Sequence, residues 1–249
     1  MGRGTQSWGR PTQDSSILSR LVATAMDDAN WMPLYERIRS DFGYDRRADE
    51  HARDVLADYA TPFDFDRLDV AGCSVAIAGG APSLVDETGL AADADRVFAA
   101  STAADVLKAA EVPVDLMVTD LDKNAETAVA MTNAGRPVAV HAHGDNVPLV
   151  REVVPRMDAE HVLATTQVRP VDSVYNVGGF TDGDRAAFLA DHLGADRLVF
   201  PGWEFDDRTV DRVKRKKLEW AKRLLAFLET RRNEQFDVLD GHRSSIEPL

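Results

Sequence analysis

Pro113-Val114-Asp115-Leu116-Met117-Val118-Thr119-Asp120-Leu121-Asp122 passes from apolar to acidic within one short stretch. A brief β-branched and apolar run ending in polar residues reads as a buried strand that stops at a surface. In an extended strand, residues two apart point to the same side, so Asp120 and Asp122 present two carboxylates to one spot. Such a pair repels unless a cation or a proton lies between the groups. Oxygen-only ligands suit a hard ion, and Mg²⁺ held by one or two carboxylates plus substrate phosphates is the common arrangement. The plainer alternative is two solvated acids on an acidic surface.

Working outward, similar apolar runs occur at 74–78, 96–100, 137–141, 161–165 and 197–201. Helical patterns separate most of them, at Ala103–Ala110, Ala125–Asn133, Val147–Val154 and Asp184–Leu193, and a last one spans Arg208 to Arg232. This alternation predicts an α/β, Rossmann-like fold, a largely parallel sheet with helices on both faces. Upstream, Trp31, Leu34, Tyr35 and Ile38, then Ala52, Val55, Leu56 and Tyr59, recur at helical spacing until Pro62. The expected organisation is a disordered extension over 1–25, a small N-terminal helical region over 26–69, the α/β catalytic domain over 70–235, and a C-terminal tail over 236–249. The extension could equally reflect a start placed upstream of Met26.

In open parallel sheets, ligands bind outside the carboxyl ends of the strands. Polar residues collect there in this sequence: Gly79–Ser83, Asp120 and Asp122, His143 and Asp145, Thr165–Gln167, and Glu204 with Asp206. Their convergence outweighs any single motif.

Composition narrows the classes. The net charge is −13, with 30 Asp against 12 Glu and 23 Arg against 6 Lys. An Asp-rich, Lys-poor surface fits work in high salt, where screening acts within about 3 Å at 1 M. Loss of helical circular dichroism as potassium chloride is diluted from the molar range is the expected consequence; equal stability at low salt would contradict it. The same charge disfavours binding to nucleic acid or to an anionic membrane. Cys73 is the single cysteine, which excludes an internal disulfide, and its place inside an apolar strand candidate reads as a buried, inert thiol. No run reaches the roughly 18 apolar residues of a membrane span, and no continuous apolar stretch resembles a secretory signal. The chain reads as cytoplasmic; its sequence leaves homo-oligomerisation open.

Each remaining motif has two readings. Gly79-Gly80-Ala81-Pro82-Ser83 after the first sheet strand suits a phosphate cradle, with Ser83 capping the next helix, or is a structural turn. His141 and His143 share one side of a strand, as site groups or as satisfied rim histidines. Asp145 and Asn146 follow Gly144 in a loop that presents oxygens, caps the next helix, or does both. In Gly178-Gly179-Phe180-Thr181-Asp182-Gly183-Asp184-Arg185, Asp182 reads as the cap of a helix beginning near Gly183. Arg185 is placed there to hold a phosphate bidentately, or the stretch is a plain loop-to-helix junction. Lys214, Arg215, Lys216 and Lys217 hold three of the six lysines, either for triphosphate contact or as a solvated face.

Taken together, Gly-Gly-Ala-Pro-Ser-Leu (79–84), Thr-Asp-Leu-Asp (119–122), His-Ala-His-Gly-Asp-Asn (141–146), Thr-Thr-Gln (165–167), Gly-Gly-Phe-Thr-Asp-Gly-Asp-Arg-Ala (178–186) and Lys-Arg-Lys-Lys-Leu (214–218) resemble the archaeal 6-hydroxymethyl-7,8-dihydropterin pyrophosphokinases. That family's fold is similar to the catalytic region of thiamine pyrophosphokinases. The resemblance runs over roughly residues 30–232 in the same motif order. It implies Mg²⁺, ATP as co-substrate, and a reduced pterin alcohol as acceptor, in tetrahydromethanopterin or folate biosynthesis. Where the family has Ala-Asp-Gly after the second sheet strand, this chain has Ala100-Ser101-Thr102, so no contact is carried over to that loop. Lys123 after the acidic pair is a smaller departure.

On this reading Asp120 and Asp122 hold Mg²⁺, with Asp145 a further metal or substrate ligand. Gly79, Gly80, Ser83, Asp182, Arg185 and Lys214 contact the nucleotide, and His143 orients or deprotonates the acceptor hydroxyl. Two other classes stay open. Asp120-Leu121-Asp122 is formally the DxD motif of metal-dependent nucleotide-sugar glycosyltransferases. A nucleotide-sensing module without turnover would keep the glycine-rich loops but has little use for the acidic pair.

Overall fold

The structure, a computed structural model, describes residues 28–249. The expected extension over 1–25 lies outside them. Six strands form one sheet: β1 (Ser74–Ala78), β2 (Arg96–Ala100), β3 (Leu116–Thr119), β4 (Val138–Ala142), β5 (Val162–Thr166) and β6 (Arg197–Val199). Their order is β5-β4-β3-β2-β1-β6 and every pairing is parallel. Eight α-helices accompany them among the described residues: α1 (Asp28–Phe42), α2 (Arg46–Ala57), α3 (Leu84–Ala92), α4 (Ala103–Ala109), α5 (Ala125–Asn133), α6 (Val147–Val153), α7 (Asp182–His192) and α8 (Arg212–Arg232).

The pleat explains the two cores. Val75, Ile77, Phe98, Leu116 and Val118 face one layer, with α1, α7 and α8. Ala76, Ala78, Val97, Ala99 and Met117 face the other, with α2 to α6. Successive strands step in one direction from β1 to β5, so the right-handed crossovers α3 to α6 all fall on one face. The chain then reverses: β6 pairs with the free side of β1, and α7 crosses to the opposite face over β1, β2 and β3. Ala186, Ala187 and Ala190 keep α7 slim enough to lie between the sheet and α8.

Several boundaries differ from the sequence reading for identifiable reasons. The helical stretch around 31–59 is two helices, parted at Gly43, which has φ +73°. They supply different cores, α1 through Trp31 and Ile38, α2 through Ala52 and Leu56. The last strand stops at Val199 rather than 201, because Pro201 has no N–H for the ladder and Gly202 turns the chain at φ +74°. The final helix begins at Arg212, not 208, where the Asp211 side chain accepts from the Lys214 N–H and caps it. Cys73 precedes β1 and is only half-buried, so the fully buried thiol is not what the fold contains. Phe236 and Leu239 of the C-terminal segment are buried in the α8 core. No helix among the described residues is long and apolar enough to cross a membrane.

Candidate active site

Parallel pairing sets the carboxyl ends of β1, β2 and β3 side by side, and three tight turns leave them in a row. Gly79 and Gly80 follow β1, Ser101 and Thr102 follow β2, and Asp120 to Asn124 follow β3. Ser101 N–H donates to the Val118 carbonyl, and the Asn124 amide donates to the Ser101 carbonyl at 3.1 Å and to Asp105 Oδ2 at 2.8 Å. Ser101 and Leu121 both adopt the left-handed region, at φ +47° and +69°. Strained backbone on two adjacent turns, where glycine is not used, is a mark of sites that need a fixed side-chain position.

The acidic pair converges for a different reason from the one its spacing suggested. β3 ends at Thr119, so Asp120 and Asp122 sit in a turn and not along a pleat. The Thr119 hydroxyl accepts from the Leu121 N–H at 2.9 Å, Leu121 is buried, and Asp120 Oδ1 accepts from the Asp122 N–H at 3.1 Å. Burial alone would raise the Asp120 carboxyl. Hydrogen bonds from His143 and from the Asp122 side chain and backbone outweigh it and hold Asp120 well below the usual carboxylate range. Burial, then contact with Asp120 and its charge, pushes Asp122 the other way, with Lys123 and Lys217 opposing. Asp182, the first residue of α7, is a third member: burial and the charges of Asp120 and Asp122 raise it, against Arg185 and Lys214. Lys214, on the exposed first turn of α8, stands in the field of Asp182 and Asp122 on one side and of Lys123 and Lys217 on the other.

His143 closes the opposite side, with Nε2 at 3.5 Å from Asp120 Oδ2 and Nδ1 accepting from the Asp145 N–H at 3.3 Å. Those contacts place the proton of the neutral ring on Nε2, facing Asp120. His141 lies beneath it, 6.1 Å away between ring centroids and buried. Its Nδ1 is 3.2 Å from the Thr165 hydroxyl, and burial holds the ring neutral. Asn146 occupies the N-cap position of α6, but its side chain does not bond to the helix. Its side chain accepts from His143 N–H and donates to the carbonyls of Asp120 and His141, tying the ends of β3 and β4 together. Asp145 is exposed, and among the described residues no group of three His, Cys, Asp or Glu side chains forms a metal cage. Asp145 therefore does not complete a three-carboxylate set with Asp120 and Asp122. The oxygen-only pair still fits Mg²⁺, which takes its remaining ligands from water and substrate phosphates.

Two capping expectations are corrected. Thr181, not Asp182, caps α7, and Asp184 closes a capping box by accepting from the Thr181 hydroxyl at 2.6 Å and from the N–H groups of Thr181 and Phe180. Asp182 is thereby released to face the other acids. Ser83 has helical torsions and caps nothing through its side chain. Its N–H instead donates to Glu204 Oε1 at 3.1 Å, a carboxylate standing at the start of α3 where an anion was expected. Its hydroxyl is buried and makes no hydrogen bond within the protein. Gly79 is needed for close approach, since a Cβ there would collide with the Gly202 carbonyl and lie 2.9 Å from the Trp203 ring. Trp203 itself donates to the Ile77 carbonyl at 2.8 Å, filling the crevice between β1 and β6.

Arg185 is also placed differently. It is buried, and its two terminal nitrogens donate to the carbonyls of Gly178 and Phe180 at 3.2 and 3.3 Å. Burial pulls its pKa down to about 10, with Asp184, Asp182 and Asp120 supporting the charge. The fork braces the glycine loop, so the bidentate phosphate clamp is not its geometry here. Gly179 makes that brace possible: it sits at φ +87°, and a Cβ would press on the Arg185 backbone.

The structure thus brings Asp120, Asp122, His143, Asp182, Arg185 and Lys214 into one electrostatic cluster. Gly79 and Gly80 stand two strands away, roughly 10 Å at the usual strand spacing. Sequence reasoning missed Asp49. Its buried carboxylate accepts from the Tyr35 hydroxyl, the Gln167 amide and the Gly144 N–H, each at 2.8 Å, which anchors the loop carrying His143. The available signal was its spacing: Asp49 lies three residues before Ala52, on the apolar stripe of α2.

The chain is similar to known proteins over most of its length. A family model described as 6-hydroxymethylpterin diphosphokinase MptE-like matches residues 55–209. The chain is 37% identical to the 6-hydroxymethyl-7,8-dihydropterin pyrophosphokinase of Methanothermobacter thermautotrophicus, over 80% of this chain and 94% of that one. It is 36% identical to the protein of the same name from Pyrococcus furiosus, over 80% and 93%. With that of Methanocaldococcus jannaschii the identity is 29%, over 85% and 99%.

Proposed function

Because the chain belongs to the 6-hydroxymethylpterin diphosphokinase MptE-like family, we propose that it moves the two outer phosphates of ATP, as one unit, onto the hydroxymethyl oxygen of 6-hydroxymethyl-7,8-dihydropterin. The pathway served is tetrahydromethanopterin or folate biosynthesis. The observation that carries this reading is the meeting of Asp120, Asp122 and Asp182 with Lys123, Lys214 and Lys217 at the carboxyl edge of the sheet.

In the step itself, the acceptor oxygen forms a bond to the β-phosphorus as the bond from that phosphorus to the α,β-bridging oxygen breaks. The electron pair leaves with AMP, and the hydroxyl proton passes to solvent or to a nearby base. Such transfer depends on positioning and charge neutralisation more than on covalent catalysis. A Mg²⁺ held by Asp120 and Asp122 would supply part of that neutralisation. Lys214, Lys123 and Lys217 face the same charge from the α8 side and the β3 turn. His143, with its Nε2 proton toward Asp120, keeps that carboxylate ionised and oriented. Gly79 and Gly80 keep the β1 turn free of side chains, which leaves its backbone open to the nucleotide, while the start of α3 is occupied by Glu204.

The test is substrate dependence. The full chain with ATP and Mg²⁺ should consume nucleotide only when the pterin alcohol is present, and chelation should stop it. Pterin-independent turnover, or release of nucleotide from a nucleotide sugar, would overturn the reading in favour of the DxD glycosyltransferase. Binding without turnover would leave the sensing module.

A further inference from the structure

An aromatic cluster borders the site and takes no part in the phosphate chemistry. Phe42 ends α1, Tyr44 lies in the turn to α2, and Phe180 lies in the loop that caps α7. Phe42 and Tyr44 are stacked at 5.2 Å and 13°, and Phe180 lies 5.2 Å from Phe42 and 6.4 Å from Tyr44. All three are half-buried.

The cluster is held rigidly. Arg39 donates to the Tyr44 carbonyl at 3.1 Å, Tyr44 N–H donates to Arg39 O at 3.0 Å, and the Lys216 ammonium sits 4.6 Å over the Phe42 ring. It also adjoins the acids on two sides. Phe180 is two residues from Asp182, and its N–H is fixed by Asp184. The Asp145 loop packs on the start of α2 just after Tyr44: Gly144 N–H donates to Asp49 at 2.8 Å, and a Cβ on Gly144 would lie 2.6 Å from the Ala48 Cβ. In keeping with this, burial raises the Tyr44 phenol pKa and the Asp145 charge adds to it. Asp145 is exposed, and its carboxylate has no hydrogen-bond or ion-pair partner among the described residues. Its backbone rests on His143, which faces Asp120.

A half-buried aromatic cluster beside an exposed, unpaired carboxylate, leading to the acidic pair, matches one ligand chemistry. A reduced pterin is a planar fused heterocycle whose aminopyrimidinone edge carries two adjacent donors, N3–H and the 2-amino group. A carboxylate accepts both, whereas the adenine edge offers a donor beside an acceptor and gains less from it. We propose that Phe42, Tyr44 and Phe180, together with the Asp145 carboxylate, form the site for the pterin ring and set acceptor specificity. This proposal rests on the functional reading above and deepens it. It gives Asp145 to substrate and not to metal, and it directs the 6-substituent toward His143 and Asp120.

The test uses the full chain and Asp145→Asn, with Tyr44→Leu as a second variant acting through stacking alone. Two readouts are taken: dihydropterin binding without ATP, by its own fluorescence, and the KM values for pterin, ATP and Mg²⁺. Loss of a charge-assisted double hydrogen bond should weaken pterin binding about 10–100-fold in Asp145→Asn. Loss of ring stacking should weaken it about tenfold in Tyr44→Leu. The KM for ATP should stay within about twofold of the wild-type value in both, since the adenine makes no use of this edge. Unchanged pterin affinity in both folded variants, or a rise in the Mg²⁺ or ATP requirement in its place, would overturn the site alone. Failure of the wild-type chain to bind or use the pterin would overturn the functional reading, and the site with it.

Discussion

Asp120→Asn and Asp122→Asn should each lower turnover by about 10²–10³-fold, the usual cost of removing one electrostatic stabiliser of a transferring group. Stability should change little by comparison. In the free protein the two carboxylates burden each other: Asp120 is held ionised by His143, and Asp122 is pushed up by burial and by Asp120. Replacing Asp122 with an amide removes that repulsion, so thermal melting should be unchanged or slightly higher as activity collapses. Asp120→Asn also removes the partner of His143 Nε2, and the amide can present its oxygen there, which limits the loss of stability. A variant with full activity, or one whose loss tracks unfolding, would remove the pair from the chemistry.

Asp49→Ala should have the opposite profile, with loss of stability first. Its carboxylate is 4% exposed and serves three donors from three segments, Tyr35 on α1, Gln167 after β5 and Gly144 after β4. Removing it strands these donors in a buried place, which costs about 3–5 kcal/mol when a buried charged acceptor is lost. Tyr35→Phe, which deletes one donor and leaves the rest paired, should cost nearer 1–2 kcal/mol. Urea unfolding of the three proteins gives the comparison. If Asp49→Ala unfolds within about 1 kcal/mol of wild type, α2 is not the anchor described here.

Much of this was legible in the sequence because local rules wrote it. Apolar runs of strand length marked all six strands, and their alternation with helices gave a parallel sheet covered on both faces. Asp120 and Asp122 do meet, but not along a pleat: the strand stops at Thr119, and it is the left-handed Leu121 that folds Asp122 back to Asp120. Long-range contacts stayed hidden. Ser83 sits where a cap belongs, yet its N–H is taken by Glu204, which is 121 residues away in the chain. Arg185 looks like a phosphate clamp until burial aims its fork at Gly178 and Phe180. Asp49 was masked by abundance, since a chain with 30 aspartates gives little weight to any one of them. Only tertiary packing separates a buried acid on an apolar stripe from a solvated one.

The central claim is that the cluster of Asp120, Asp122 and Asp182 directs attack to the β-phosphorus of ATP. Chromatographic identification of the nucleotide formed with 6-hydroxymethyl-7,8-dihydropterin and Mg²⁺ tests it most directly. AMP released in equal amount to the pterin diphosphate is the predicted result. ADP, with a monophosphorylated pterin, would place the attack at the γ-phosphorus and contradict the account.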